Sequence, residues 1–135
     1  MHTLPNAVQR EREALLSDAI GILKTQGYQP MAVQDLAGYK EPDELVIPVL
    51  NVHMRPDIVA SGRPDDEQIL GVVEVSTDLG EESCGRRWQA FNAWAHEHHS
   101  HMQVFVHPED LRRATEIAEY WHMTPDFLIP VRRTH

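Results

Sequence analysis

Two carboxylates are placed to share one chemical task. Asp57 stands early in the run Arg55-Pro-Asp-Ile-Val-Ala60, and Glu74 lies within the next, Gly71-Val-Val-Glu-Val-Ser-Thr77. Both runs are β-branched and bounded by turn residues, so both read as short buried strands. The segment joining them, Ser61-Gly-Arg-Pro-Asp-Asp-Glu-Gln68, has the Gly, Pro and Asp of a hairpin connection. A lone ionised carboxylate in a sheet interior is costly, and two close together cost more unless a cation or a proton lies between them. The pair reads as half of a divalent-metal site, and its hard oxygen ligands suit Mg2+ or Mn2+.

Other side chains invite chemistry less strongly. In the run His96-Glu-His-His-Ser-His101, His98 and His101 fall one helical turn apart, a spacing that suits Zn2+ or Ni2+. No second set of Cys or His stands at zinc-site spacing, and cationic His at a helix end satisfies the dipole without a metal. Cys84 is the sole cysteine, which rules out an internal disulfide framework and suits a reducing cytoplasm. As a nucleophile it would need a base that the sequence does not identify. Trp88, Phe91 and Trp94 have helical spacing and read as core rather than as a base-stacking platform. There is no phosphate-cradling Gly-rich loop and no G-x-S-x-G, so nucleotide and serine hydrolases find no support.

These residues need elements to hold them. The chain opens with a helix: Pro5 and Asn6 suit its start, Val8, Leu15, Leu16, Ala19, Ile20 and Leu23 form its stripe, and Gly27 stops it. Arg12 falls inside that stripe, an odd place for a cation: either it pairs with a buried carboxylate or the helix is not packed at its first turn. Glu11 and Glu13 lie on opposite shoulders of the stripe, where either is a solvated first-turn acid or leans toward the sheet. Tyr28 to Gln34 reads as a strand that Pro30 marks as an edge or a late start. Asp35 to Pro48 reads as an irregular loop over one end of the sheet. Val49 to Met54 then runs into the Asp57 strand, and Ile69 to Thr77 follows as the most buried strand. A helix from about Glu82 to His98 turns Trp88, Phe91 and Ala95 inward and Arg86 and Gln89 outward. Met102 to Val106 reads as a strand. His107-Pro108-Glu109-Asp110 begins a third helix with inner face Leu111, Ala114, Ile117, Ala118 and Trp121, before a last strand, Phe127 to Val131, and a polar tail, Arg132 to His135. The implied fold is an α/β sandwich with a mixed sheet, order α-β-β-β-α-β-α-β: an antiparallel meander joined by right-handed crossover to a parallel neighbour.

That order, with Pro56-Asp57 opening one strand and Glu74 inside the next, resembles the PD-(D/E)xK nuclease superfamily across about residues 6 to 106. Glu11-Arg12-Glu13 and the Gly27-Tyr28 that follows look like the start of its Holliday-junction-resolvase branch. The resemblance implies a restriction-endonuclease-like three-layer sandwich that hydrolyses DNA with Mg2+ or Mn2+. Asp57 and Glu74 would be its carboxylates, the main-chain carbonyl of Val75 a further ligand, and Glu11 or Glu13 the first-helix acid of some branches. The motif lysine is absent: its position is Ser76, which offers a hydrogen bond but no charge. Arg86, Arg87 or Gln89 on the following helix stand where a migrated group would reach the cleft. An arginine there would stabilise developing phosphate charge but could not act as a base. Two outcomes stay open: a rearranged nuclease, or a degenerate copy that binds a protein or nucleic-acid partner. Relatives of this kind often pair, so a homodimer is compatible.

Composition sets the outer limits. The 135 residues fit one domain, 1–135, and 41% hydrophobic content is enough for a real core. No apolar run approaches the roughly 20 residues that cross a bilayer, and Met1 to Ala7 lacks the pattern of a secretory signal. The formal net charge of -9 argues against a generic, charge-driven nucleic-acid binder.

Overall fold

A computed structural model describes residues 5–47, 52–62 and 67–133. Its elements are α1 (Pro5–Thr25), β1 (Tyr28–Val33), β2 (Leu45–Ile47), β3 (Val52–Met54), β4 (Ile58–Gly62), β5 (Gln68–Val73), α2 (Glu81–Glu97), β6 (Ser100–Val106), α3 (Leu111–Tyr120) and β7 (Leu128–Pro130). Gly27 ends α1 as expected, with φ of 93°, a left-handed conformation that glycine adopts without strain.

Five strands form one sheet in the order β1-β4-β5-β6-β7. β1, β4 and β5 make the expected antiparallel meander, and β6 joins β5 in parallel through α2. β7 adds a second parallel neighbour to β6. Pro30 does lie on an edge strand, and the β1–β4 register slips between Pro30 and Ala32.

Three sequence expectations need correction. The stretch from Asp35 to Pro48 is not wholly irregular, because Leu45–Ile47 pairs with Val52–Met54 in a separate two-stranded hairpin. Three-residue strands are too short to show an alternation of their own. The expected strand leading into Asp57 is therefore split in two around Arg55-Pro56-Asp57, while Val49 and Leu50 lie outside the described residues. The Glu74 strand ends at Val73, so Glu74 follows the strand instead of sitting in its middle, and Ser76–Asp78 form a 3-10 turn. The link between β4 and β5 includes residues 63–66, which also lie outside the described set.

The sheet's alternation sorts two cores. Ile69, Val73 and Phe105 pack with Leu15, Leu16, Ala19 and Leu23 of α1. Leu70, Val72, Met102, Val104 and Val106 pack with Trp88, Phe91 and Ala95 of α2 and with Ala114, Ile117 and Ala118 of α3. The period-two pattern of the strands thus buries both faces under helices. No helix among the described residues is long and apolar enough to cross a membrane.

α2 meets the end of α3 at Gly85, over which Trp121 lies while its indole N–H donates to the Glu81 carbonyl at 2.7 Å. A Cβ on Gly85 would stand 2.0 Å from Trp121 Nε1. Gly85→Ala is therefore expected to lower stability by about 2 kcal/mol through overpacking, measured as a fall in the urea midpoint; an unchanged midpoint would show that Trp121 moves aside freely.

Candidate functional site

The two carboxylates singled out in the sequence meet at the carboxyl end of the parallel strands, the edge at which open α/β sheets usually bind ligands. Asp57 is placed by backbone. Its N–H donates to the Gly71 carbonyl at 3.0 Å and its carbonyl accepts from Gln34 N–H at 2.8 Å, so β5 and the end of β1 both fix it. Glu74 is held to β6 by its N–H, which donates to the Phe105 carbonyl at 3.0 Å. Both side chains are buried, with Asp57 at 0% and Glu74 at 1% exposure.

Arginines supply the positive charge between them. Arg12 of α1 pairs with Asp57 Oδ1. Arg87 of α2 spans the pair, with Nη2 3.3 Å from Asp57 Oδ2 and Nη1 3.5 Å from Glu74 Oε2. The Val73 N–H also donates to Asp57 Oδ2 at 2.9 Å, and the Trp88 indole N–H donates to Glu74 Oε2 at 2.9 Å. The two formal negative charges thus face two guanidinium groups. The Arg87 guanidinium carbon also lies over the Phe91 ring, 5.8 Å from its centre, a cation–π contact. Burial pushes the Glu74 carboxyl above its ordinary value; Arg87 and the Trp88 hydrogen bond oppose that shift, and the charges of Asp57 and Asp78 reinforce it.

The remaining expected site residues are distributed otherwise. Glu11 faces Arg133 at 3.7 Å, and Glu13 accepts from Gln9 at 3.2 Å on the surface of α1. Arg86 points into solvent beside Glu82. Gln89 is exposed. Ser76 turns away from the pair and donates its hydroxyl to Asp110. The Val75 carbonyl accepts from Asp78 N–H at 2.9 Å within the 3-10 turn. Among the described residues no three His, Cys, Asp or Glu side chains gather as a metal-holding group. As arranged, the pair does not fit a divalent ion: Arg12, Arg87 and the Val73 amide occupy both Asp57 oxygens, and a dication would be brought against two guanidiniums.

The other candidates resolve simply. His98 stacks on Trp94 at 3.9 Å between ring centres. His101 belongs to β6, where it faces Glu67 at 3.3 Å, so the helical spacing of His98 and His101 does not hold. Cys84 is buried, and desolvation with the nearby Glu74 charge pushes its thiol up to about 11, which leaves it a poor nucleophile. The sequence reading missed two features of this end of the sheet. Trp88 is core, but a buried indole N–H needs an acceptor, and that requirement pointed to Glu74. Arg133, which meets Glu109, Glu11 and the buried His107, gave no local signal because its partners come from two other segments, distant in sequence.

Breaking this cluster should be costly. Asp57→Asn leaves Arg12 and Arg87 facing a neutral amide in a largely buried site, and a loss of about 3 kcal/mol in urea denaturation is expected; a loss below about 0.5 kcal/mol would mean the pairing is surface-like. Glu74 makes stability depend on pH. Its folded carboxyl keeps its proton to higher pH than the ordinary 4.5, so its contribution to stability is full below the unfolded value and is lost as pH rises through the folded one. Glu74→Gln keeps an acceptor for Trp88 and is expected to exceed the parent in stability near about pH 8, the gap closing as pH falls through the raised folded value and gone below the ordinary 4.5. A gap that widens on acidification would reverse this sign.

No family model, curated protein or solved structure matches this chain.

Proposed function

We propose that this chain is a catalytically silent relative of the PD-(D/E)xK nucleases, a module that keeps a restriction-endonuclease-like fold and recognises a partner protein. One observation carries this reading: the Arg87 guanidinium bridges Asp57 and Glu74 while Arg12 closes the far oxygen of Asp57. An arginine is always protonated and its planar fork suits two carboxylates at once, so it fills the place between them as a fixed cation. The mixed five-stranded sheet between helical layers is compatible with that fold. A protein partner is favoured over nucleic acid because a net charge of -9 repels a phosphate backbone.

A second reading has its own observation. Arg87 is 32% exposed and its two contacts, 3.3 and 3.5 Å, are long for charge-assisted hydrogen bonds. Were Arg87 to swing outward, Asp57 and Glu74 would be left together at the ligand-binding edge of the sheet, and an Mg2+- or Mn2+-dependent nuclease would follow.

Incubation of supercoiled and branched DNA with the protein and Mg2+ or Mn2+ separates the two. The silent reading expects no cleavage from the parent or from Asp57→Ala. Cleavage by the parent that Asp57→Ala abolishes would establish the nuclease, and cleavage by both would identify a contaminant.

A further inference from the structure

The opposite end of the sheet has an opening that the charge cluster does not use. β5 pairs with β6 over Ser100 to Phe105, but β7 pairs only with Val104 to Val106. Among the described residues no strand lies beside Ser100 to Gln103 on the β7 side. The direction of the backbone there follows from two bonds. The Phe105 carbonyl accepts from Glu74 on the β5 side, and the Val106 carbonyl accepts from Val131 on the β7 side. By alternation, the N–H and C=O of Met102 face the side from which β7 has withdrawn. A cavity of about 1250 Å3 occupies that place, lined by all four residues of the open edge.

The lining asks for a donor-rich, cationic occupant. Gln103 Oε1 is a buried acceptor with no hydrogen-bond partner. Glu67 and Asp126 border the cavity, as do the residues that end α2 and α3, including His99 and His122. Helix C-termini carry partial negative charge, which favours cations. The net charge of -9 adds attraction at longer range. A bare cation would leave the open strand edge unpaired, whereas an extended peptide satisfies it and presents side chains to both helical layers.

We propose that this notch receives an extended, basic segment of a partner protein, which pairs with β6 at Met102 in line with β7 and sets Lys or Arg side chains against Asp126, Glu67 and the ends of α2 and α3. This deepens the reading of the chain as a partner-binding module, and rests on it.

The probes are fluorescein-labelled octapeptide pools in which Lys or Arg alternates with Val or Thr, and matched pools in which Glu replaces the basic residue. Anisotropy titration is expected to show binding by the basic pool at least tenfold tighter than by the acidic one. Methylating the backbone nitrogens of a bound peptide at alternate positions, which leaves the protein untouched, should weaken binding tenfold or more in one register and little in the other. Exchange of the Met102 amide should slow when peptide is present, and Asp126→Lys, an exposed change, should weaken the basic pool several-fold. Equal binding of both pools, indifference to N-methylation, or an unaffected Met102 amide would each overturn the proposal. Concentration-dependent dimerisation that protects the Met102 amide without peptide would overturn it too, by assigning the edge to a second copy. DNA cleavage that depends on Asp57 would instead sink the silent-module reading, so the two failures are told apart.

Discussion

Burial of two carboxylates at one end of a sheet is the constraint to which the rest of the fold answers. Removing each ion from water costs several kcal/mol. A guanidinium at 3.3 to 3.5 Å returns about 5 kcal/mol at an effective dielectric near 20. The two sides nearly cancel, so the cluster adds little net stability while intact, and its effect is geometric. Arg12 comes from the helix on one face of the sheet and Arg87 from a helix on the other. Both end on Asp57, so the charge cluster ties the two outer layers together at the sheet's edge. Removing Asp57 leaves both arginines without their shared counter-charge, and the same near-balance then becomes a large loss.

How much of this was legible in the sequence depends on how local each signal is. The stripe of α1 and the buried faces of the strands are periodic, and they appear where expected. Arg12 was legible as an oddity: a cation in an apolar stripe either meets an anion or marks an unpacked turn, and it meets Asp57. The convergence of Asp57 and Glu74 was legible because two strands joined by a short link lie side by side. The register that sets Glu74 just past its strand was not, since the β-branched Val75 carries the strand-like pattern on without extending the ladder. β2 is too short to announce itself. Glu11 and Glu13 flank the stripe symmetrically, and only the position of Arg133 decides which of them gains a long-range partner.

Ser76 sits in a 3-10 turn and gives its hydroxyl to Asp110, so the strand that carries Glu74 contributes no cation of its own. Charge has to arrive from outside the strand, and Arg87 is one helical position from Trp88, the residue that already donates to Glu74. One turn of α2 therefore delivers both an indole N–H and a guanidinium to the same carboxylate. Trp88 is fully buried and fixes that turn. Lysine would bring a compact, strongly hydrated point charge, whereas the arginine fork spans both acids.

A closed edge at one end of the sheet leaves the unsatisfied groups at the other. Asp57 and Glu74 have partners from both helical layers, and β4 is paired on both sides. β6, also a central strand, loses its outer neighbour below Val104. Backbone polar groups beside a cavity have to find water or another chain. In a sheet edge the second choice is the one that also orders side chains on either face. The register of β7 therefore matters beyond its three residues: starting at Leu128, it leaves open the stretch of β6 that carries Met102 and the unpartnered acceptor of Gln103. In the recognition mode proposed above, the docking edge is set by where a short strand begins, at the end of the sheet away from the acids.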